Sequence, residues 1–201
     1  MPRENETTAE RIVRAALELF LQTGVRRTSV DEVARHAGMT RITVYRYFSD
    51  KQGLVAACCE RLSGNFERAA AHCRGKSMGE IDECLAQLGK ELSELPSGNL
   101  LACLEEIHRL YPDVYEQYRA ARENAHDALF RQVLIAAKRE GALRSDLNMH
   151  VVRAVFQAAV MRLIENPGLI SSNVSLSEVF ATVTSVFRHG ILRQTERVWP
   201  C

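Results

Sequence analysis

Apolar residues at Ile12, Ala15, Ala16, Leu19 and Phe20 recur at i, i+3, i+4, i+7 and i+8, the spacing that lays one buried stripe along an α-helix. Thr7 and Glu10 have the spacing of a capping box ahead of that stripe, and Gly24 supplies a left-handed stop behind it. A second box, Ser29 to Glu32, opens a short helix with Val30, Val33, Ala34 and Ala37 on one face, and Gly38 ends it. Thr40 caps a third helix that buries Val44 and Phe48 at i and i+4, while Arg41, Thr43 and Arg46 point elsewhere.

Beyond Asp50 the helical periods lengthen, over roughly 51–74, 78–95, 99–110, 112–140, 149–165 and 176 to about 195. Glycine, proline and asparagine clusters separate them, and Pro112 suits the first position of a helix, where its missing N–H costs nothing. No alternating apolar pattern competes, and the one long irregular stretch is 166–175. The predicted fold class is all-α, with three short N-terminal helices ahead of a larger set of long ones.

Composition narrows the function without deciding it. A chain of 201 residues, 46% hydrophobic and 25% charged, can bury one or two cores, and its apolar runs are too short to span a membrane. A net charge of +1 means that attraction to nucleic acid must come from local clustering. The charged first residues lack an apolar signal core, so the cytoplasm is the expected compartment. Cys58, Cys59, Cys73, Cys84, Cys103 and Cys201 contain no C-x-x-C pair and are expected as free thiols scattered over the helices. Phosphate-loop, nucleophile-elbow, zinc-protease and dinucleotide motifs are missing, so neither catalytic residues nor a cofactor nor a metal is expected.

The second and third helices, joined through Gly38, form a helix-turn-helix unit, in which the start of the second helix enters the major groove of DNA. Arg41 can bridge guanine O6 and N7, and Thr43 can meet a base edge or a thymine methyl. Thr28, Ser29, Tyr45, Tyr47 and Lys51 offer hydroxyls, amides and an ammonium to the phosphates alongside. Tyr45 and Phe48 equally suit a core.

The run from Thr28 to Lys51, above all Thr43-Val44-Tyr45-Arg46-Tyr47-Phe48 followed by Lys51 and Leu54, closely resembles the DNA-binding domain of TetR-type transcriptional regulators. The resemblance covers about residues 7–55. It implies base contacts from Arg41, Ile42 and Thr43 and phosphate contacts from Thr28, Tyr47 and Lys51, although Ile42 stands where the family often has a small residue. It also implies a DNA-binding domain over 1–52, followed over 53–201 by a divergent helical domain that dimerises and holds an inducer.

The last two helices are the least polar. Val152, Phe156, Ala159 and Leu163 in one, and Val179, Val183, Val186 and Phe187 in the other, form stripes suited to a two-fold four-helix interface, or else to a core within the chain. His108, Tyr115 and Tyr118, with His126 and Phe130, and also Phe66 and Met161, are candidates for an apolar effector pocket with a few polar groups. The expected protein is a homodimeric regulator, most simply a repressor, released from a palindromic double-stranded DNA operator by an unknown, mainly apolar small molecule. The alternatives are a thiol-based metal or redox sensor and a helical enzyme using the tyrosine and histidine face.

Overall fold

The computed structural model describes residues 6–96, 98–164 and 174–192, apart from the side chains of residues 160, 161, 163, 164 and 176. Among these, nine helices follow one another: α1 (Thr8–Thr23), α2 (Val30–Ala37), α3 (Arg41–Phe48), α4 (Lys51–His72), α5 (Met78–Ser93), α6 (Leu100–Leu110), α7 (Pro112–Arg139), α8 (Met149–Ile164) and α9 (Leu176–Ile191). The side chains of Met161 and Leu163, most of the irregular stretch 166–175, the end of the last predicted helix and Cys201 lie outside the described residues.

Local chemistry accounts for most of the helix ends. Both predicted capping boxes form: the Glu10 amide donates to the Thr7 hydroxyl and the Thr7 amide to the Glu10 carboxylate, and Ser29 and Glu32 repeat the exchange. Two further boxes, Ser77 with Glu80 and Ser175 with Glu178, start α5 and α9. α7 begins at Pro112 as the missing N–H requires. Gly38 closes α2 in the left-handed region, at φ 68° and ψ 34°. Gly24 differs from the expected left-handed stop: its φ of 91° is positive, but ψ is 153°, so the chain leaves α1 in an extended, glycine-favouring conformation.

The chain packs as two compact units, Met1–Gly64 with Leu95–Arg122, and Asn65–Glu94 with Glu123–Cys201. In the first, Ile12, Ala16, Phe20, Val33, Val44, Leu54, Val55 and Ile107 are essentially excluded from water. Each large side chain among them contributes about 1.5–3 kcal/mol by burial. The buried stripe of α1 is wider than its spacing predicts, taking in Val13, Leu17 and Leu21, whereas Leu19 is only half-buried. In the second unit Ile81, Leu88, Leu129, Phe130, Ala136, Ala137 and Ile191 are buried.

Candidate nucleic-acid interface

α2 is held against α1 by its apolar face, Val30, Val33, Ala34 and Ala37, and by Arg11, whose guanidinium donates to the Ala37 carbonyl at 3.1 Å. The turn is closed by the Met39 amide donating to the Ala34 carbonyl at 2.8 Å. α3 then starts under the Thr40 cap and buries Val44, with Phe48 half-buried. Pinned by so few side chains, α3 presents Arg41, Ile42, Arg46 and Tyr47 to solvent.

Arg41 is oriented within the chain. Its guanidinium donates to Asp31 Oδ2 at 3.1 Å and to the Tyr45 hydroxyl at 3.3 Å, and lies 5.2 Å from the Tyr45 ring centroid. The Tyr45 bond first, and then the Asp31 charge, raise its pKa further above the ordinary arginine value. The Thr43 hydroxyl pairs with that of Thr40 at 2.9 Å. Arg46 sits over the Tyr47 ring at 5.5 Å. From Arg26 to Lys51 six Lys and Arg stand against three Asp and Glu, the local basic clustering that the nearly neutral chain requires for nucleic acid.

Two predicted phosphate contacts are placed differently. Thr28 is buried and donates its hydroxyl to the Gly24 carbonyl at 2.8 Å, which closes the α1–α2 turn instead of presenting a free hydroxyl. The half-buried Lys51 donates its ammonium to the Val25 carbonyl at 2.6 Å. Burial lowers its pKa, while Glu106 and Glu32 act the other way. Glu106, on α6, accepts the Val25 N–H at 2.6 Å. The Val25 backbone is thus held at its N–H by α6 and at its carbonyl by α4. Ser29 remains exposed at the α2 cap, with its amide and hydroxyl both donating to Glu32 Oε2 at 2.7 Å. Asp31, Arg46 and Glu106 complete this region and were not among the sequence candidates. Arg46 could have been found from its position beside Tyr47, but nothing local marks Asp31, ten residues from Arg41, or Glu106.

The effector candidates fall into separate clusters. In the first unit exposed His108 stacks on buried Tyr115 at 4.4 Å, and Tyr115 lies 6.3 Å from buried Tyr118. The Arg122 guanidinium, buried deep in α7, is 5.4 Å from the Tyr118 ring. Burial raises the Tyr118 pKa, and Arg122 opposes that rise. An open cleft of about 590 Å³ runs along α6, lined by Ala102, Glu105, Glu106, His108 and Arg109. In the second unit His126 stacks on Phe66 at 4.1 Å, and Phe130 stacks on Phe156 at 4.1 Å.

Phe156 and Phe187, predicted for the dimer interface, belong to that packing within the chain, since they meet edge to face at 5.0 Å around Phe130. Val152, Ala159, Val179 and Val183 are half-buried, whereas Val186 is exposed, together with Val151 and Val155. The thiols are less scattered than their sequence positions suggest. Cys73 and Cys84 lie within electrostatic reach of one another, as do Cys59 and Cys103 on different helices. Burial raises Cys59, Cys73 and Cys103 to about 12, which keeps them as thiols and makes them poor nucleophiles and metal ligands. Among the described residues no cluster of His, Cys, Asp or Glu is arranged to hold a metal. No described helix is long and apolar enough to cross a membrane.

A capped helix-turn-helix on a three-helix head, followed by long helices, defines a helix-turn-helix protein of two-part, all-α plan. Residues 12–58 match the bacterial regulatory proteins, tetR family. It is 34% identical over 83 residues to the uncharacterized HTH-type transcriptional regulator YvkB of Bacillus subtilis, covering 40% of this chain and 44% of YvkB. Similarity to the HTH-type transcriptional regulator AcrR of Shigella flexneri covers only 36% of that protein, at 35% identity and 39% of this chain. The chain therefore spans less than half the length of these first curated relatives. A longer match, 28% over 182 residues and 86% of both chains, joins it to the HTH-type transcriptional regulator TtgR of Pseudomonas putida. The fold is that of SmeT, the repressor of the Stenotrophomonas maltophilia multidrug efflux pump SmeDEF, at a TM-score of 0.61, 20% identity, and coverage of 94% of this chain and 93% of SmeT.

Proposed function

We propose that the chain is a homodimeric, ligand-responsive transcriptional regulator, most simply a repressor, acting in the cytoplasm without catalytic activity of its own. The observation that carries this reading is the face of α3: Arg41, Ile42, Arg46 and Tyr47 project from a helix anchored by Val44, in the position from which a helix-turn-helix reads a major groove. Arg41 and Thr43 address base edges, whereas Ser29, Tyr45, Tyr47 and Lys51 address the backbone. For Lys51 that contact requires exchange of the Val25 carbonyl for a phosphate.

Residues 1–52 then form the reading domain and 53–201 the sensing and dimerising domain. Exposed Val151, Val155 and Val186 on α8 and α9 supply an apolar surface for a second copy, as two-fold reading of a palindrome requires. A small, mainly apolar effector fits the His108–Tyr115 stack with Tyr118 beside it, or the Phe66–His126 stack, or the Phe130 rings, and acts by favouring the state whose heads do not match the operator. SmeT, which shares the fold, is a repressor and has been solved in complex with triclosan, which supports this class of response. Selection from a random pool of duplex DNA tests the reading: a palindromic consensus is expected, and recovery of unselected sequences, bound without preference, would overturn it.

A further inference from the structure

We propose that Ile42 reads a thymine through its C5-methyl group in each half of the DNA site, an inference that rests on the DNA-binding reading above. Ile42 is 81% exposed. The aliphatic residues around it in the same head are treated in the opposite way: Ile12, Val25, Val33, Val44, Leu54 and Val55 are all at 1% or less. Folding therefore leaves a large, branched, water-exposed hydrocarbon in the first turn of α3, where its β-branching also weakens the helix slightly. Its chain neighbours are the two residues suited to polar base edges, Arg41 and Thr43, and one turn on is the exposed Arg46.

The chemistry of the groove then selects the contact. Base edges in the major groove present ring nitrogens, carbonyl oxygens and amino groups, and one apolar group, the methyl of thymine. An isoleucine facing any of the polar edges would strip its water and return no hydrogen bond, and against a phosphate it would gain nothing. Against a thymine methyl both surfaces leave water together. The residue that departs from the small side chain frequent at this position thus becomes a specificity determinant, complementary to the hydrogen-bonding role of Arg41.

The test uses the full-length protein and the duplex recovered by selection, with deoxyuridine replacing thymidine one position at a time, which removes the methyl and leaves every hydrogen-bonding group in place. Wild-type protein is expected to lose about fourfold in affinity at one thymine per half-site, and roughly tenfold or more when both halves are substituted. Ile42→Ala, whose side chain supports no core, should bind thymine and uracil duplexes alike, with an unchanged salt dependence. Thr43→Ser, which removes the methyl of the adjoining base-addressing residue and keeps its hydroxyl, should keep the discrimination. Equal binding of uracil and thymine duplexes by the wild type at every position, or discrimination that survives in Ile42→Ala and vanishes in Thr43→Ser, would overturn the assignment and leave the DNA-binding reading intact; an Ile42 face used for protein contact gives the first of these results. Selection that returns no consensus overturns the reading and the assignment together.

Discussion

Val25 shows how much the backbone of a single residue can carry. Its side chain is fully buried, its N–H goes to Glu106 and its carbonyl to Lys51, so residues far apart in sequence fix the turn that leads into α2. Beside it, a Cβ on Gly24 would stand 2.9 Å from Glu106 Oε2 in a backbone conformation that side chains rarely adopt. Glu106→Ala would leave the Val25 amide without its acceptor and is expected to cost about 1–3 kcal/mol in urea denaturation, with Glu106→Gln, which keeps an acceptor oxygen, closer to wild type. An unchanged midpoint for Glu106→Ala would show that the turn is held by packing alone. None of this was legible in the sequence, because Glu106 lies 81 residues from its partner and nothing in its neighbours marks it. The same holds for Thr28, whose hydroxyl faces inward only because the turn folds back on Gly24.

At the scale of the elements, the caps and stops were the most legible features, since each depends on residues within one turn of chain. Thr7 with Glu10, Ser29 with Glu32, Gly38 and Pro112 all act where their spacing places them. Which face of a helix meets which neighbour was much less legible. The stripes of α8 and α9 have the same period whether they seal a core or a second copy, and only the structure shows the Phe156 and Phe187 rings engaged with Phe130. The thiols give a pH test at this scale. Cys59 on α4 and Cys103 on α6 are raised by burial from the usual 9.0 to about 12. Raised values in the folded state mean that the unfolded chain releases these protons first. The stability they lend is complete below about pH 9 and is lost as the pH rises towards 12. Denaturation midpoints are expected to decline across that window, and less steeply in a Cys59→Ala, Cys103→Ala double variant. An equal slope in the two proteins would assign the decline to other groups.

For the whole molecule, the proposal depends on two heads acting together. Val155 and Val186 are exposed in the single chain, at 54% and 63%, so a charge at either position leaves the fold intact. In a dimer that covers them, it strands a buried, unpaired charge. Val155→Asp and Val186→Asp should therefore sediment as folded monomers, whereas Phe156→Asp should also lose stability, through the Phe130 cluster. A dimer unchanged in both valine variants would move the interface to another surface.

Whether the exposed face of α3 reads DNA sequence is decided by comparing wild type and Arg41→Ala on the selected duplex and on a scrambled duplex over a range of salt. The wild type is expected to prefer the selected duplex strongly, and Arg41→Ala to lose about 1–3 kcal/mol of that preference with the salt slope nearly unchanged. Equal affinities of the wild type for both duplexes, or an Arg41→Ala variant that keeps its full sequence preference while losing salt dependence, would contradict that role of α3.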